Sequence, residues 1–436
     1  MKTVKVIGAG LAGAEAAYYL ARRGVKVFLY DIKPKKFTPA HSDPNFAELV
    51  CSNSLKSDDV YGNAAGLLKE EMRVLGSLII EAADKTKVPA GGALAVNREE
   101  FSAYITEKLK ALDNVEFISE EVTDIDTDTY TVIATGPLTT DALAESMKRI
   151  TGESLSFYDA SAPIVTFESL DKSRCFAGDR YGKGDGDHIN CPIEKEEYET
   201  FVSELLNAEK AKLHEFEKRE IFEGCMPVEV MAARGKDTLR FGPLKPVGLI
   251  DPVTGKRPYA CLQLRKEDAA GTLYNLVGFQ TNLKFAEQKR VFGLIPALKN
   301  AEYARYGVMH RNTFIDSPKV LSADYSLKNY PKIFVAGQIT GVEGYVESAG
   351  SGLMAAIYCE RKINGKSEAI ISETTVSGAL IKYITTENEN FQPMNANFGI
   401  LPPLTTAVRD KSERKRLLAE RSLKAVGEFK KEINTR

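Results

Sequence analysis

The sequence lacks the patterns that mark membrane-spanning, secreted and zinc-binding proteins. It contains no uninterrupted apolar run long enough to cross a bilayer. An apolar run already begins at Val4, which leaves no room for a signal peptide before the first predicted strand. The six cysteines are scattered, with no C-x-x-C pair and no cluster of histidines. This argues against a zinc site and a disulfide scaffold. We therefore expect a cytoplasmic protein without a bound metal or a membrane anchor.

A strong excess of charge of either sign is also missing. The formal net charge is -2 over 436 residues, so the chain as a whole does not attract nucleic acid. Any contact with RNA would have to come from a local basic patch. The length exceeds that of a typical domain and predicts two domains.

The most informative stretch is the N-terminus, where an apolar run leads through a glycine turn into an Ala-rich helical segment. Residues 4–13 read VKVIGAGLAG, and a second apolar run, residues 25–30, ends in Asp31. This order is typical of a dinucleotide-binding βαβ unit, in which a strand, the G-x-G-x-x-G turn, a helix and a second strand are followed by an acidic residue. The pyrophosphate would lie at the helix N-terminus, and Asp31 would bind a ribose; the alternative is a merely structural turn. The predicted cofactor residues here are Gly8, Ala9, Gly10, Leu11, Ala12, Gly13 and Asp31.

Two later segments favour FAD over NAD as the resident cofactor. Residues 130–136 predict a buried strand that ends in Ala134, Thr135 and Gly136. Residues 333–338 predict another, ending in Gly337 and Gln338, with a helix from about Ser348 that includes Gly350. A distant strand, glycine turn and helix of this kind brings a helix N-terminus to the flavin end of FAD. The predicted fold class is therefore α/β, with an FAD-binding domain of the two-dinucleotide, Rossmann-like and glutathione-reductase-like type.

The pattern changes between residues 158 and 309. Short β-like runs there flank a charged helical segment, and the loops are rich in glycine and proline. We interpret this region as an inserted α+β domain. The FAD-binding domain would then be discontinuous, with segments 1–157 and 310–436.

Two cysteines lie in polar turns. Cys51 begins the sequence Cys-Ser-Asn-Ser, near Lys56, and Cys225 lies between Gly224 and Met226-Pro227. Exposed backbone donors in such turns would favour the thiolate that nucleophilic catalysis requires. The alternative for any cysteine is a small buried hydrophobic residue, which we accept for the other four.

Four segments together carry a family resemblance. They are ELVCSNSLKS (48–57), GLLKEEMRVLGSL (66–78), GCMPVEVMAARGKDTLRFGPLKPVGL (224–249) and VAGQITGVEGYVESAGSGLMAA (335–356). With them the chain resembles the folate- and FAD-dependent tRNA (uracil-5-)-methyltransferases, which make ribothymidine in the T loop of bacterial tRNA. The resemblance covers nearly the whole chain. Larger relatives that modify wobble uridines share the FAD fold but carry an extra C-terminal helical domain.

The resemblance implies a reaction and roles for both cysteines. Methylenetetrahydrofolate would supply the carbon, reduced flavin would pass it to uracil C5, and NAD(P)H would re-reduce the flavin. A thiolate added to C6 makes C5 nucleophilic. The family's two cysteines map onto Cys225, expected as the nucleophile, and Cys51, expected as the base or as a guard of the one-carbon unit. These roles could be exchanged. The insertion is expected to pack over the flavin and to bring Cys225 to it.

The remaining candidates are weaker. Tyr345 is expected near flavin or folate, and Arg290 and the run His310-Arg311-Asn312 are candidates for holding folate or phosphate. The candidates for contact with tRNA are Arg234, Lys236, Arg240, Lys245, Lys256, Arg257, Lys415 and Arg416. Three alternatives stay open: an FAD-dependent oxidoreductase without an RNA substrate, a wobble-uridine-modifying relative, and a non-catalytic flavin protein that binds RNA.

Overall fold

A computed structural model describes residues 2–38, 40–152, 154–160, 162–182, 186–211, 226–267, 271–307, 309–388 and 391–434. For residues 154–160 and 309–313 it describes the backbone. Its strands are β1 (Thr3–Ile7), β2 (Lys26–Asp31), β3 (Ser54–Ser57), β4 (Lys87–Val88), β5 (Ala93–Val96), β6 (Val115–Ser119), β7 (Thr131–Ile133), β8 (Ser154–Ala160), β9 (Ile164–Thr166), β10 (Phe176–Ala177), β11 (His188–Ile193), β12 (Ala260–Lys266), β13 (Leu273–Leu276), β14 (Tyr303–Arg305), β15 (Met309–Ile315), β16 (Ser326–Leu327) and β17 (Tyr330–Val335).

The helices fall into three groups along the chain. Those in the N-terminal region are α1 (Leu11–Arg22), α2 (Ala64–Leu75), α3 (Leu78–Lys85), α4 (Arg98–Lys110) and α5 (Asp141–Thr151). Those in the middle are α6 (Lys195–Asn207), α7 (Val228–Ala233), α8 (Thr238–Phe241) and α9 (Phe285–Phe292). The later ones are α10 (Ser317–Val320), α11 (Tyr345–Ile363), α12 (Val376–Thr385) and α13 (Lys411–Asn434).

The first sheet of the described chain has the order β16-β17-β7-β1-β2-β6. Strands β17, β7, β1, β2 and β6 run parallel, and β16 pairs antiparallel with β17 at one edge. The central strands are buried and β-branched or aromatic, as parallel strands covered on both faces require. Their carboxyl ends therefore meet at one edge of the sheet, where ligands bind in open α/β folds.

Helices α1 and α11 pack closely beside that edge. A Cβ placed on Gly352 of α11 would lie 2.2 Å from the carbonyl oxygen of Ala12 in α1. Only glycine permits this approach of two helix backbones. The contact brings the N-terminus of α11 toward the glycine turn that precedes α1.

The middle of the chain forms a second, antiparallel sheet with the order β10-β11-β12-β13-β9-β14. It has its own apolar core, to which Phe201 of α6 and Phe279 contribute. Strands β8 and β15 pair with each other where the chain enters and leaves this region. The expected inserted α+β architecture is present, whereas the boundaries at 158 and 309 stay a prediction. The small sheet β3-β5-β4 belongs to the first region.

Two buried glutamates hold helices to the first domain. Glu15 of α1 accepts hydrogen bonds from the Ser77 hydroxyl (2.6 Å) and from the Leu78 and Ile79 amides (3.0 and 2.9 Å) at the start of α3. Burial raises the pKa of Glu15 to about 7. Glu71 of α2 likewise accepts bonds from the Val376 amide at the start of α12 and from the Ser422 hydroxyl of α13. Both carboxyl groups accept hydrogen bonds from amides that lack intrahelical partners at a helix N-terminus.

Candidate active site

A cleft opens at the carboxyl ends of β1, β2, β7 and β17 and contains about 1140 Å³ of space, including its mouth. Most of the predicted cofactor residues line it: Gly8, Gly10, Leu11, Ala12, Asp31, Ala134, Thr135, Gly136, Gly337, Gln338 and Tyr345. The turns predicted from separate strands thus lie around one cleft.

The three glycines of the first turn have different surroundings. Gly8 has a φ of +97°, and a Cβ there would lie 2.6 Å from the carbonyl oxygen of Ala134. A Cβ on Gly13 would lie 1.7 Å from the carbonyl oxygen of Gly8, so this glycine serves close packing. A Cβ on Gly10 would have no neighbour within 4 Å, because it would point into the cleft. Gly10 is therefore the position at which a side chain would compete with a ligand.

Two predicted residues act through packing or hydrogen bonds. The Ala9 amide donates to one Asp31 oxygen (2.7 Å), and the Lys33 amide donates to the other (2.9 Å). This holds the Asp31 carboxylate in the lining of the cleft. Gly350 does not line the cleft, since its Cβ position faces Met72 and Leu68 of α2. Its assignment as a cofactor residue stays a prediction, since a small residue near a helix start also serves helix packing.

Sequence reasoning missed one wall of the cleft. Glu120, Glu121 and Val122 follow the carboxyl end of β6, next to Asp31 on β2. The rule that located Asp31 applied to them as well, because β6 is the next parallel strand. Thr38, His41 and Glu48 come from the irregular segment after β2, where no periodicity indicated their position. Burial lowers the pKa of His41.

Cys51 is held by Tyr345 at the start of α11. The Cys51 amide donates to the Tyr345 hydroxyl oxygen (2.7 Å), and the Ser52 amide donates to the same oxygen (3.3 Å). Cys51 Sγ lies 2.9 Å from this oxygen. Because two amides occupy the oxygen as an acceptor, the phenolic proton is directed to the sulfur. Burial raises the pKa of Tyr345 well above its usual value, so the phenol keeps this proton.

The second domain reaches the same loop through Arg265 of β12. Its Nη2 donates to the Ser52 hydroxyl (2.5 Å), and its Nε donates to the Asn53 side-chain oxygen (3.1 Å). Burial lowers the pKa of Arg265 and of Arg305, and the charge of Cys51 opposes the shift in both. Two partly buried guanidinium groups therefore lie close enough to the Cys51 sulfur to interact with it electrostatically. Residues 261–265 alternate between apolar and polar side chains, so the sequence could have predicted a polar face on β12. It could not have predicted that this face meets the Cys51 loop.

An ion pair beside the start of α11 includes a lysine with a strained backbone. Lys56 has a φ of +63°, a region that residues other than glycine rarely adopt. Its Nζ lies 2.7 Å from Oε1 of buried Glu347, which also accepts from the Ala396 amide (2.9 Å). Within the described residues, Glu347 Oε2 has no hydrogen-bond partner. Strain and an unpartnered buried oxygen next to a ligand cleft are typical of functional sites.

Several predicted residues are not brought to the cleft or are not described. Cys225 lies outside the described residues, as do the side chains of His310, Arg311 and Asn312 on β15. Arg290 lies on α9 and pairs with Glu204 and Glu287. Since these ion pairs occupy its guanidinium group away from the cleft lining, its assignment to folate or phosphate finds no support.

Three candidates for RNA contact have structural partners instead. Arg240 lies 3.7 Å over the Tyr259 ring and pairs with Asp237 (3.0 Å). Lys415 donates to the Gly62 carbonyl (2.9 Å), and Arg416 pairs with Glu413 and Glu420 on its own helix. Lys236, Lys245, Lys256 and Arg257 are exposed, and so is Arg234. The assignment of these residues to RNA contact stays a prediction.

The described residues contain no cluster of three or more potential metal ligands. No helix among them is both long and apolar enough to cross a membrane.

Comparisons with known proteins assign the chain to a family. A family model described as "Glucose inhibited division protein A" (GIDA) matches residues 3–367. A protein of Acetivibrio thermocellus is 57% identical over 428 residues, which are 98% of each chain. One of Staphylococcus aureus is 57% identical over 435 residues, covering 99% of this chain and all of the relative. Both are named methylenetetrahydrofolate–tRNA-(uracil-5-)-methyltransferase TrmFO. The chain belongs to the GidA family, and within it to the TrmFO proteins.

Solved structures agree on the fold. Aquifex aeolicus GidA superposes with a TM-score of 0.73 at 16% identity, over 99% of this chain and 73% of the GidA chain. Membership of the TrmFO proteins confirms the family resemblance drawn from the four sequence segments. The GidA likeness confirms the fold class.

Proposed function

We propose that the protein transfers a one-carbon unit from methylenetetrahydrofolate to C5 of a uracil in tRNA and reduces it to a methyl group. FAD is the resident cofactor, and NADH or NADPH is the reductant. The observation that carries this proposal is the Cys51–Tyr345 pair at the edge of a dinucleotide cleft, in a chain 57% identical to proteins named for this reaction. The target uridine lies in the T loop of tRNA, and the reaction takes place in the cytoplasm.

The cleft residues fit FAD. Gly10 leaves the path of a pyrophosphate open, and Asp31 lines the position expected for a ribose. The N-terminus of α11 enters the cleft at Tyr345 and Ser348, and an N-terminus stabilises negative charge. Bound FAD would supply the hydride and carry the one-carbon unit. Gly337 and Gln338, which are uncharged, would line the part of the cleft that holds the flavin ring.

Cys51 is suited to moving a proton at uracil. Its sulfur is a hydrogen-bond partner of the Tyr345 hydroxyl, and Arg265 and Arg305 act on it as cations. A donor and cations favour thiolate over thiol. The thiolate of Cys51 accepts the C5 proton of uracil, and Tyr345 holds the sulfur in place. Cys225 supplies the thiolate that adds to C6, which makes C5 nucleophilic.

An incorporation assay tests the proposal. Purified protein is incubated with tRNA lacking the modification, methylene-labelled methylenetetrahydrofolate and NADPH, and the nucleosides are analysed by mass spectrometry. We expect label in 5-methyluridine and none when folate is left out. Flavin turnover without labelled uridine would support an oxidoreductase without an RNA substrate. Label at the wobble position would support a wobble-uridine modification.

A matched pair of variants ties the activity to the site. Cys51→Ala should abolish labelling while the FAD absorbance stays, because a thiol-to-methyl change removes little volume. Cys359→Ala alters a buried cysteine near the C-terminal end of α11 and should retain labelling. Equal labelling by both variants would contradict the role proposed for Cys51.

A further inference from the structure

The second domain exposes apolar side chains among unpaired cations at the end of α8, at Tyr181 and in the loop of residues 250–257. Phe241 is 82% exposed, Val253 87%, Tyr181 65% and Ile250 61%. Exposed large apolar side chains in such a group mark interaction sites. The group is completed by three exposed basic residues, and together these residues are called the loop surface: Tyr181, Phe241, Lys245, Ile250, Val253, Lys256 and Arg257.

The loop surface is held together by hydrogen bonds. The Tyr181 amide donates to the Gly248 carbonyl (2.8 Å), and the Tyr181 ring lies against the backbone of Gly248. Arg180 donates to the carbonyl oxygens of Lys245 (2.5 Å) and Val247 (2.9 Å). Asp251 closes the turn that presents Val253, because its Oδ1 accepts from the Val253 amide (2.9 Å). The apolar side chains are therefore presented on ordered backbone.

The charge of this surface is complementary to a polyanion. Within the part of the chain that the structure describes, no carboxylate pairs with Lys245, Lys256 or Arg257. The nearby acids are engaged: Asp237 pairs with Arg240, and Asp251 binds its own turn. Unpaired cations interleaved with exposed aromatic rings are typical of surfaces that bind single-stranded nucleic acid.

The surface is linked to the Cys51 loop through strand β12. Arg180 Nε donates to the Gln263 side chain (2.8 Å), and Gln263 lies two residues before Arg265 on β12. Residues two apart on a strand share a face, and Arg265 binds Ser52. On the other side, the Gly91 amide donates to Asp187 (2.7 Å), and the Gly92 carbonyl accepts from the Asp58 amide (3.0 Å). Hydrogen bonds through β12 and through the Gly91 turn thus link the segments of the loop surface to the loop that carries Cys51.

We propose that the loop surface binds the unpaired bases of a tRNA loop, with Phe241 and Tyr181 stacking on bases next to the target uridine. This inference rests on the proposed function. A uridine inside a structured loop has to be turned out before a protein thiol can reach its ring, which leaves its neighbours unstacked. Aromatic side chains replace the lost stacking, and Lys245, Lys256 and Arg257 bind the flanking phosphates.

Binding measurements on the FAD-loaded full chain test the stacking. Fluorescence anisotropy with a T-arm stem-loop RNA should show Phe241→Ala weakening the affinity by roughly 5- to 150-fold, the range for loss of one stacked base. Phe241→Tyr should keep the affinity, and Phe241→Leu should lose it, since leucine is apolar but has no π face. Ile370→Ser removes another side chain with 71% exposure, located between α11 and α12, and should have no effect.

Two further comparisons separate stacking from charge. A fully paired RNA duplex of the same stem sequence should bind Phe241→Ala as well as the wild type, because it offers no unstacked base. Lys256→Ala should reduce the slope of log affinity against log salt by about 1, whereas Phe241→Ala should leave that slope unchanged. FAD absorbance and the thermal midpoint confirm that each variant is folded.

The outcomes distinguish this inference from the proposed function. If the wild type methylates tRNA and Phe241→Ala binds the stem-loop within twofold of wild type, the stacking is overturned. Equal losses on stem-loop and duplex, or full affinity of Phe241→Leu, would also overturn it. A wild type that neither binds nor methylates tRNA would overturn the proposed function itself.

Discussion

Cys51 Sγ and the Tyr345 hydroxyl oxygen lie 2.9 Å apart, although 294 residues separate them in sequence. The contact joins the loop before β3 to the first residue of α11. It places a thiol at the end of the dinucleotide cleft where α11 begins. The same hydroxyl also binds the Cys51 and Ser52 amides, so one side chain fixes both the loop and its sulfur.

Removing the Tyr345 hydroxyl should destabilise the Cys51 thiolate relative to the thiol. In Tyr345→Phe the sulfur loses its donor, and hydrogen bonds to charged groups contribute about 1.5–3 kcal/mol. We expect the alkylation rate of Cys51 at neutral pH, followed by peptide mass spectrometry, to fall at least tenfold and to recover at higher pH. FAD content should persist.

Tyr104→Phe is the matched control, because it removes a hydroxyl that binds Glu81 on the distant α3–α4 surface. It should leave the Cys51 alkylation profile unchanged. An unchanged profile in Tyr345→Phe would show that the hydroxyl does not stabilise the Cys51 thiolate.

Two glycines of one turn should respond differently to substitution. Gly10→Val places a side chain in open cleft space, so we expect a folded, colourless protein that has lost FAD. Gly13→Ala places a Cβ 1.7 Å from the Gly8 carbonyl oxygen, so we expect this variant to lower the thermal midpoint of the protein in addition to losing FAD. Absorbance at flavin wavelengths and thermal unfolding measure the two effects. Tight FAD binding by Gly10→Val would argue against a pyrophosphate at this position.

Glu15 should make stability depend on pH. Its pKa rises from 4.5 to about 7 on folding because it is buried, so the folded protein binds this proton more tightly than the unfolded chain. The stabilisation from the protonated form is complete below about pH 4.5 and is lost as the pH rises to about 7. The loss is on the order of 3 kcal/mol.

The measurement compares unfolding free energies of wild type and Glu15→Gln from pH 4.5 to 8. The wild-type value minus the variant value should fall up to about pH 7 and then stay level. Glu145→Gln, an exposed carboxylate on α5, is the control. A constant difference for Glu15→Gln across this range would contradict a buried, protonated Glu15.

The turns that line the cleft were predictable from the sequence, because the end of each parallel strand is marked by a turn after an apolar run. Each of the turns at Gly8, Asp31, Ala134 and Gly337 follows an apolar run, and the rule that these ends meet at one edge placed them together. The same rule extended to Glu120 would have found another wall. Local pattern was sufficient here because strand order in this fold class is restricted.

The environment of Cys51 could not be predicted in the same way. Tyr345, Arg265 and Arg305 come from distant segments, and no local pattern states which loop they approach. Composition also does not show which charged side chains pair with each other: Arg290 and Arg416, predicted to contact folate or phosphate and RNA, pair with neighbouring glutamates, and their roles stay predictions. Exposure of Phe241 likewise became visible only in three dimensions, since its sequence context is that of an ordinary turn.

Covalent trapping on tRNA tests the central claim most directly. Transfer RNA containing 5-fluorouracil is incubated with each protein under turnover conditions, and adducts are separated on denaturing gels. Fluorine at C5 cannot leave as a proton does, so the thiolate added at C6 stays attached. We expect an adduct with wild type and with Cys51→Ala, and none with Cys225→Ala. An adduct that depends on Cys51 would exchange the two roles, and a wild type that forms no adduct while binding the tRNA would contradict the account.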